Sequence, residues 1–555
     1  MKENNSRESD KVKIIPLGGL GAIGKNCTLF EQKDEIIIVD CGIMFPREEM
    51  PGIDYIIPDF SYIRKNKSKV KAIVVTHGHE DHIGAIAFLL QEVSIPIYAT
   101  KLTIGLIQSR LIEKPLTYTP QFIEVVPRQV VNIGSYIIEF INVNHSIIGG
   151  VGLAIQTVAG TIIHTGDFKI DFSPIEGEVT DIYRFSHHGE KGVQLLLSDS
   201  TNSEKEGFTK SESGIFDRLS DIFSDSKGRI IVASFASNLE RIQQVLDTAQ
   251  KFNKKVVISG LSMQKNIEIA NNLGFLDIKE DLIIKVEDAG KYPNKKIVII
   301  GTGTQGEPMS ALARMAFGTH RNFAVEKGDT VIITASIIPG NERMVTNIVN
   351  ALMEIGADVY YDKNENIHVS GHGASKELKV MISITKPRFF VPVHGEYKHL
   401  KRHAEIAESL NVKPSHIIIA KNGDVLELTK KSFKKTGTIP LLEMYVDGAE
   451  IGDIASDVIK ERHLMSTEGV FCASMVISKG KILSGPDIET RGFINVENTK
   501  THGLLLKDIE DKLQKMLKEG KDAAEIESLL KRSISNYIFK LIRRNPPIVI
   551  NVIEV

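Results

Sequence analysis

Three histidines and one aspartate, side chains that can bind a metal ion, lie within six consecutive residues of this sequence. They are His77, His79, Asp81 and His82. Imidazole nitrogen suits zinc and related metals, and a carboxylate can bind one metal ion or bridge two. Three histidines and one aspartate at this spacing have no common structural use, so the segment predicts a metal site rather than a histidine-rich surface turn.

The residues on either side predict a tight turn from a strand into a helix. Residues 72–75 form an apolar run with strand composition, and the apolar stretch 83–90 has the pattern of a helix. Side chains on such a turn can converge on one point, as a metal site requires.

Further polar residues follow other predicted strands. They are His145 after residues 137–143, Asp167 after residues 162–163, and Asp199 after residues 195–197. Asp40 ends the predicted strand 36–39, and two roles are open to it. It either takes part in the same site or caps a turn through its own backbone.

The composition is that of an ordinary globular protein. The chain has 555 residues, of which 42% are hydrophobic and 25% are charged, and its net charge is -2. This length allows roughly three or four domains. The net charge argues against a uniformly basic coat for nucleic acid, although a local positive groove is compatible with it.

Cysteine usage and hydropathy indicate the compartment. Cys27, Cys41 and Cys472 are far apart, which predicts neither a disulfide framework nor a cysteine zinc site. The polar residues 1–13 contain no secretory signal. No apolar run reaches the roughly 18 residues of a membrane span. We therefore expect a soluble, cytoplasmic protein.

Residues 18–24 contain the pattern G-x-G-x-x-G, which also occurs in dinucleotide-binding folds. That function requires a helix directly after the glycines, whereas residues 26–30 and 35–39 have strand composition. Dehydrogenase activity is therefore disfavoured. We expect a glycine-rich turn that lets the backbone approach a site closely.

The pattern of predicted helices and strands changes near residue 208. Predicted helices 211–223, 239–252 and 263–273 alternate with apolar runs at 230–233, 256–258 and 297–300. This alternation predicts a parallel α/β domain.

Two loops of this α/β domain could receive a phosphate. Residues 234–238, with Ser237 and Asn238, and residues 301–308 each precede a predicted helix. Backbone N–H groups at a helix N-terminus bind phosphate, but plain helix capping explains the same residues equally well.

Further residues that could belong to the site follow this α/β domain in the sequence. His368, Ser370 and His372 are spaced by two residues, so in a strand all three could face one side. His394 follows the predicted strand 389–393.

Together these motifs resemble the metallo-β-lactamase superfamily. The pattern H-x-H-x-D-H at 77–82, followed by His145 and Asp167, is similar to its dinuclear metal site, with Asp40 at its first motif. An α/β insert followed by S-G-H at 370–372 and V-H-G-E at 393–396 narrows the resemblance to the β-CASP nucleases.

Longer stretches resemble one branch, the bacterial ribonuclease J family, over essentially the whole chain. They are L-G-G-L-G-A-I-G-K-N at 17–26, P-G-I-D-Y-I-I-P-D at 51–59, T-H-G-H-E-D-H-I-G at 76–84, H-T-G-D-F-K at 164–169, L-L-S-D-S-T-N at 196–202, T-Q-G-E-P-M at 304–309 and G-P-D-I-x-x-R-G-F at 485–493.

The resemblance implies an α/β chain of several domains. A metallo-β-lactamase αββα sandwich is interrupted by a β-CASP α/β domain and followed by a small C-terminal α/β domain that supports oligomerisation. The expected limits are 1–207 with 360–435 for the first domain, 208–359 for the insert, 436–457 for a linker and 458–555 for the C-terminal domain.

The same resemblance implies the metal ligands. One metal ion is bound by His77, His79 and His145, the other by Asp81, His82 and His394, and Asp167 bridges them.

The chemistry of such a site predicts further roles. The leaving 3′-oxygen needs a proton, which we expect His372 to donate while Asp199 orients it. We expect His368 and Ser370 to hold a substrate phosphate, because their spacing lets them face the same side as His372, and the loop with Ser237 and Asn238 is the candidate pocket for the 5′-phosphate.

The activity implied is hydrolysis of phosphodiester bonds in single-stranded RNA. The cofactor is Zn²⁺, two per subunit, with Mn²⁺ or Mg²⁺ as alternatives. Cleavage is 5′-to-3′ from ends that carry a monophosphate, and also internal, in mRNA decay and rRNA maturation. The implied partners are a second or further copies in a homodimer or homotetramer, a paralogue, an RNA-degradation complex or the ribosome.

One loop departs from the family pattern. Residues 146–150 read Ser-Ile-Ile-Gly-Gly, where the family has Ser-Ile-Pro-Asp-Ser. This departure keeps one alternative open, a weakly active paralogue that stabilises an active partner. Another hydrolase on the same fold, such as a lactonase or thioesterase, is disfavoured because those enzymes lack the insert and the two motifs after it.

Overall fold

The computed structural model describes residues 10–47, 50–175, 177–304, 310–335, 341–361, 367–448, 450–452, 456–492 and 500–555. The chain divides into two compact units. The first comprises Met1–Met44 and Ile57–Glu443, and the second comprises Phe45–Ile56 and Met444–Val555.

The chain up to Asp199 is rich in short strands. They are β1 (Val12–Gly18), β2 (Leu20–Gly21), β3 (Cys27–Gln32), β4 (Glu35–Val39), β5 (Tyr55–Ile57), β6 (Val70–Val74), β7 (Ile97–Ala99), β8 (Phe122–Glu124), β9 (Val130–Ile133), β10 (Tyr136–Asn142), β11 (Val151–Thr157), β12 (Gly160–His164) and β13 (Val193–Asp199). The helices are α1 (Ser61–Lys65), α2 (Glu80–Ile83), α3 (Ile86–Glu92), α4 (Lys101–Glu113) and α5 (Ile182–Lys191).

The rest of the first unit comprises an inserted α/β domain and a later segment that completes the sandwich. The insert contains α6 (Ser213–Asp225), β14 (Ile230–Ala233), α7 (Leu239–Lys251), β15 (Lys255–Ser259), α8 (Leu261–Asn272), β16 (Ile297–Gly301), α9 (Ala311–Ala316), β17 (Thr330–Ile333), α10 (Glu342–Ile355) and β18 (Asp358–Tyr360). The segment after the insert contains α11 (Ser375–Thr385), β19 (Phe389–Val393), β20 (Gly395–Glu396), α12 (Tyr397–Ser409), β21 (Asp424–Leu428) and β22 (Phe433–Thr438).

Two sheets pack face to face in the first unit. Their strand orders are β22-β21-β1-β3-β4-β6-β7-β8 and β19-β13-β12-β11-β10-β9. One apolar core contains Phe30 and Val74 from the first sheet and Phe140 and Leu195 from the second. Burial of this shared apolar surface is the main force that holds the layers together.

Helices cover the outer face of the second sheet. Phe185 of α5, Met381 of α11 and Ile406 of α12 form a second apolar cluster with residues of that sheet. Leu90 of α3 and Leu102 of α4 are buried as well. These layers confirm the predicted αββα sandwich.

The insert confirms the predicted parallel α/β domain. Its five strands lie in the order β15-β16-β14-β17-β18, and every neighbouring pair is parallel. The carboxyl ends of these strands therefore meet along one edge of the sheet, where the loops 234–238 and 301–304 begin. Residues 305–308 of the second predicted phosphate loop lie outside the described residues.

The second unit has its own α/β core. Its elements are β23 (Met444–Asp447), β24 (Glu450–Gly452), α13 (Ser456–Glu468), β25 (Val470–Ser478), β26 (Lys481–Arg491), α14 (Lys500–Lys518), α15 (Ala523–Ile542) and β27 (Ile548–Glu554). They form the sheets β24-β23-β5 and β26-β25-β27. Phe471 packs with Leu513 and Ile534 of the two long helices.

Several predicted elements differ in extent. The sequence predicts one strand at 125–133, but the strand is limited to β9, because Pro127 and the positive φ of Arg128 (66°) interrupt it. The sequence predicts a further strand at 475–483, where the structure has a hairpin of β25 and β26. It predicts the last helix at 523–532, but α15 continues ten residues further, and α5 is not predicted at all. No helix in the described part of the chain has the length and apolar character needed to cross a bilayer.

Candidate metal centre

The side chains proposed as metal ligands gather at strand ends on one side of the sandwich. β6 leads to His77, β12 leads to Asp167 and β19 leads to His394. β12, β13 and β19 are parallel neighbours, so the last two residues emerge at the same edge of their sheet. The sheet thus joins segments that are far apart in sequence.

The turn at 77–82 lies against the end of β4, and this close approach requires Gly42. A Cβ atom at Gly42 would lie 1.6 Å from the carbonyl oxygen of Asp81. The neighbouring Cys41 N–H donates to the carbonyl of His82 at 2.7 Å. The ligand turn is therefore held by backbone contacts with the first sheet.

Three imidazole nitrogens form the first ligand group. His79 Nδ1 lies 3.1 Å from His77 Nε2 and 3.1 Å from His145 Nε2. Asp167 Oδ2 lies 3.7 and 3.8 Å from the same two Nε2 atoms. With bonds of about 2.0–2.1 Å, one zinc ion could reach nitrogen atoms at such separations.

The second ligand group contains two carboxylates and two imidazoles. Asp81 Oδ2 lies 3.1 Å from His394 Nε2 and 3.6 Å from His82 Nε2. His82 Nε2 lies 3.3 Å from Asp167 Oδ2. Because Asp167 belongs to the second group and its Oδ2 also lies 3.7 and 3.8 Å from two nitrogens of the first, its carboxylate lies where a ligand shared by two metal ions would lie.

Hydrogen bonds behind the ligands fix which ring nitrogen faces the site. His82 Nδ1 donates to Asp40 Oδ2 at 2.8 Å, and Asp40 also accepts from the backbone and hydroxyl of Thr76 at 2.7 and 2.8 Å. His145 Nδ1 donates to the carbonyl of Gly371 at 2.7 Å. Such bonds orient the rings and raise ligand basicity. Asp40 therefore lies behind His82 and supports it.

The electrostatics of the second group favour a cation. Burial disfavours the charged form of His394, but the nearby carboxylates of Asp167, Asp199 and Asp81 outweigh it and raise its pKa to about 10. His82 is likewise buried, and the same kind of carboxylate contacts raise its pKa well above the usual value. In the metal-free protein these protons neutralise carboxylates that a metal ion would neutralise when bound.

In the first ligand group the pKa values of the histidines are lowered instead of raised. Burial holds the pKa of His77 and His145 well below the usual value and lowers that of His79 to about 4. Neutral imidazole is the form that binds a metal. The donor types of both groups therefore fit two divalent metal ions, with the first group already neutral and the second losing its protons as a metal ion binds.

Metal binding to the metal-free protein should release protons. At pH 7–8 His394, whose pKa is raised to about 10, carries a proton, whereas the histidines of the first group, whose pKa values are lowered, are neutral. Filling the second position should therefore release about one proton from His394. Calorimetric titration with Zn²⁺ in two buffers of different ionisation enthalpy measures this number. The variant His394→Ala should release about one fewer, and heats that do not depend on the buffer would contradict the prediction.

His372 and Asp199 form a pair beside the two ligand groups. Asp199 is buried, and its Oδ2 accepts from His372 Nδ1 at 2.7 Å. The His372 ring lies 4.8 Å from that of His145 and 5.3 Å from that of His394. This arrangement leaves Nε2 of His372 available to a substrate.

The segment with His368 and Ser370 is irregular, so the predicted strand spacing is wrong there. Ser370 Oγ accepts from Asn202 Nδ2 at 2.7 Å and from His372 N at 3.2 Å. The His368 Nδ1 atom is buried without a hydrogen-bond partner among the described residues, and burial lowers the pKa of this side chain to about 4. A neutral imidazole here keeps one unpaired ring nitrogen.

Asn238 begins α7 as its N-cap. Its Oδ1 accepts from the backbone N–H of Arg241 at 3.0 Å, and Ser237 precedes it. The capping role that the sequence left open is thus present. The neighbouring N–H groups are paired as well, that of Leu239 with the carbonyl of Ser237 at 3.0 Å and that of Ile242 with the carbonyl of Asn238 at 3.1 Å. An anion at this end of α7 would therefore be attracted by the positive end of the helix dipole.

Gly371 should be intolerant of a side chain. A Cβ atom at this position would lie 2.7 Å from Cε1 and Nδ1 of His145, so Gly371→Ala must displace that ring. Because Gly371 also accepts the His145 hydrogen bond, we expect metal affinity to fall about 10–100-fold. Competition with a chromogenic chelator measures the affinity. Gly437→Ala is the control, since nothing lies within 4 Å of its added Cβ, and equal affinities for both variants would contradict the argument.

Several supporting residues were not predicted from sequence. Asn26 Nδ2 donates to the carbonyl of Asp81 at 3.1 Å, and Thr201 Oγ1 lies 2.7 Å from His394 Nδ1. Asn26 lies just after the glycine-rich turn, where Gly19 accepts from the backbone of His394 at 3.0 Å. β2 lies within that turn and strand β3 follows it instead of a helix, which rejects the dinucleotide interpretation.

The αββα sandwich with its paired ligand groups is that of a metal-dependent hydrolase of the metallo-β-lactamase superfamily. Known protein families match successive parts of the chain. Residues 20–197 match the metallo-β-lactamase superfamily, residues 227–352 the ribonuclease J β-CASP domain, residues 356–417 the RNA specificity domain of Zn-dependent metallo-hydrolases, and residues 457–555 the ribonuclease J C-terminal domain.

Similar proteins cover nearly the whole chain. Ribonuclease J of Helicobacter pylori is 41% identical over 98% of this chain and 80% of its own length. Ribonuclease J2 of Bacillus subtilis is 37% identical over 100% of both chains. Ribonuclease J of Thermus thermophilus is 38% identical over 98% of this chain and 96% of its own. The chain therefore belongs to the ribonuclease J family and is a metal-dependent ribonuclease.

A solved structure supports the fold independently. A protein of unknown function from Enterococcus faecalis has a TM-score of 0.53 and 16% identity, and the match covers 75% of this chain and 100% of that one. At this identity the likeness concerns the fold alone.

Proposed function

We propose that this ribonuclease hydrolyses single-stranded RNA with two metal ions, removing nucleotides from a 5′-monophosphate end and also cutting internally. The observation that carries the proposal is the position of Asp167. Its Oδ2 lies 3.3–3.8 Å from imidazole nitrogens of both ligand groups. A shared carboxylate of this kind is typical of two-metal phosphodiesterases.

The proposed ligands are those that the geometry brings together. The first ion is held by His77, His79, His145 and Asp167, and the second by Asp81, His82, Asp167 and His394. Zn²⁺ fits the many imidazole donors, and Mn²⁺ or Mg²⁺ is an alternative because the second group has two carboxylates. When bound, such a pair lowers the pKa of water to about 7 and neutralises charge on the phosphodiester.

His372 is the proposed proton donor. Asp199 Oδ2 accepts from Nδ1, so the ring presents Nε2 to the leaving 3′-oxygen, which must take up a proton as its bond to phosphorus breaks. The 5′-phosphate pocket is proposed at His368, Ser370, Ser237 and Asn238, where His368 has an unpaired ring nitrogen and the positive end of the α7 dipole begins at Asn238.

A labelled substrate tests this proposal. RNA labelled at its 5′ nucleotide is prepared with a monophosphate or a triphosphate end and incubated with the metal-loaded protein. We expect rapid release of labelled mononucleotide from the monophosphate substrate alone, and none with His77→Ala. Internal fragments at equal rates from both substrates would contradict the end preference.

A second candidate is a weakly active paralogue that stabilises an active partner. It is motivated by the loop after His145, where Gly149 replaces a residue with a side chain and its carbonyl accepts from Thr100 Oγ1 at 2.9 Å. Full metal content without cleavage of either RNA would favour this function.

We further propose the domain limits 1–207 with 360–435 for the sandwich, 208–359 for the insert, 436–457 for the linker and 458–555 for the C-terminal domain. We also propose that the protein assembles into a homodimer or homotetramer. Its proposed role is cytoplasmic, in mRNA decay and rRNA maturation. Limited proteolysis and light scattering test the limits and the assembly.

A further inference from the structure

Four charged side chains outside the ligand groups are buried together. They are Lys169, Asp171, Glu212 and Arg241, and none is more than 2% exposed at its side chain. Two positive and two negative charges balance, which makes their burial tolerable. No step proposed above uses them.

Arg241 connects the two sides of the proposed phosphate pocket. It lies in the first turn of α7, whose N-cap is Asn238. Its Nη1 donates to the carbonyl of Ile367 at 2.6 Å, directly before His368. One guanidinium therefore fixes the helix N-terminus relative to the His368 segment.

Glu212 connects that guanidinium to the metal centre. Its Oε2 accepts from Arg241 Nη2 at 2.6 Å, and its Oε1 lies 3.6 Å from Lys169 Nζ. Lys169 is two residues from Asp167, and its N–H donates at 2.8 Å to the carbonyl of Asn144, the neighbour of His145. A buried chain of three charges thus runs from the ligand loops to the phosphate pocket.

We propose that Lys169, Glu212 and Arg241 act as a spacer that holds the 5′-phosphate pocket at a fixed distance from the metal centre, with Arg241 as the positioning residue for end selection. This inference rests on the proposed function. A terminal phosphate seated in the pocket presents one particular phosphodiester to the metals only if that distance is constant. Internal cleavage does not use the pocket and so does not depend on the spacer.

Another buried arginine provides a matched control. Arg229 makes the same kinds of contact, an ion pair with Asp329 at 2.6 Å and a hydrogen bond to the carbonyl of Ala324 at 2.8 Å. It lies at the amino end of β14, whereas the pocket loop 234–238 follows the carboxyl end of that strand. Arg229→Lys thus costs similar contacts without touching the spacer.

The test compares Arg241→Lys with Arg229→Lys. In EDTA, fluorescence anisotropy measures the preference of the metal-free protein for a 5′-monophosphate over a 5′-hydroxyl oligoribonucleotide. With metal, mononucleotide release is measured on linear RNA and internal cleavage on circular RNA, which has no end. For Arg241→Lys we expect the binding preference to fall because Arg241 holds the two sides of the pocket together. We expect the ratio of end to internal cleavage to fall about 10–100-fold, because small displacements of a positioned substrate change reaction rates by this much.

The outcomes are distinct. Arg229→Lys should keep both ratios, and Arg241→Lys should keep the rate on circular RNA. Unchanged ratios in Arg241→Lys, or equal losses on linear and circular RNA, would overturn the spacer. If Arg241→Lys shows no melting transition, Glu212→Gln replaces it with the same expectation. A wild-type protein without end preference would instead refute the proposed function.

Discussion

Removal of the Asp167 carboxylate is expected to lower kcat for RNA hydrolysis by about 1000-fold or more. This side chain approaches both ligand groups, with Oδ2 3.3 Å from His82 Nε2 and 3.7 Å from His77 Nε2. A pair of metal ions contributes several kcal/mol to stabilising transition-state charge, and about 4 kcal/mol corresponds to a factor of about 1000. Asp167→Ala should therefore lose most of the activity together with metal.

Metal content must be measured alongside activity. Elemental analysis of Asp167→Ala should find well below two ions per chain under conditions that load the wild type. Asp424→Ala is the control, because Asp424 is also buried in the first unit but accepts from the backbone N–H of Lys421 at 3.1 Å, away from the ligands. Full loading of Asp167→Ala with activity near that of Asp424→Ala would refute the shared-ligand assignment.

Loss of the His372 imidazole should lower kcat by about 100- to 10,000-fold, the range for a general acid. The reason is its pairing with Asp199, which leaves one ring nitrogen for the leaving oxygen. Unlike removal of Asp167, this change should leave the metal content at the wild-type level, since His372 is not among the proposed ligands.

The leaving group distinguishes a proton donor from a structural residue. A phosphodiester with a 4-nitrophenyl leaving group needs no proton, so His372→Ala should hydrolyse it at nearly the wild-type rate. The control is His188→Ala, which removes another buried histidine paired with a carboxylate, Glu139 at 3.0 Å. Equal losses of His372→Ala on RNA and on the nitrophenyl ester would rule out the proton-donor role.

Much of the site could be predicted because its chemistry follows strand ends. All seven side chains proposed from sequence as ligands lie in the two groups, including His394, which is far from the others in the chain. The short spacing of the ligands at 77–82 indicates a local turn, and the apolar runs before Asp167 and His394 indicate where strands end. Parallel strands then bring such ends to one edge.

The supporting contacts could not be predicted because they depend on packing between distant segments. The carbonyl of Gly371 has no sequence signature, yet it accepts the hydrogen bond that orients His145. The role of Asp40 was open for the same reason, since only the folded chain places it behind His82. The last helix was predicted too short because Ile534 and Ile538, which are buried in the core of the second unit, favour strands as readily as helices when considered alone.

The insertion of the parallel domain between β13 and β19 has a consequence for protein synthesis. The donors of the first ligand group are complete once Asp167 has been translated, but the second group requires His394. These residues are about 230 positions apart, so at roughly 5–20 residues per second a ribosome needs about 10–45 s to pass from one to the other. On the proposed assignment, a growing chain that ends before residue 394 cannot assemble both metal positions, and nuclease activity begins only after the inserted domain has been made.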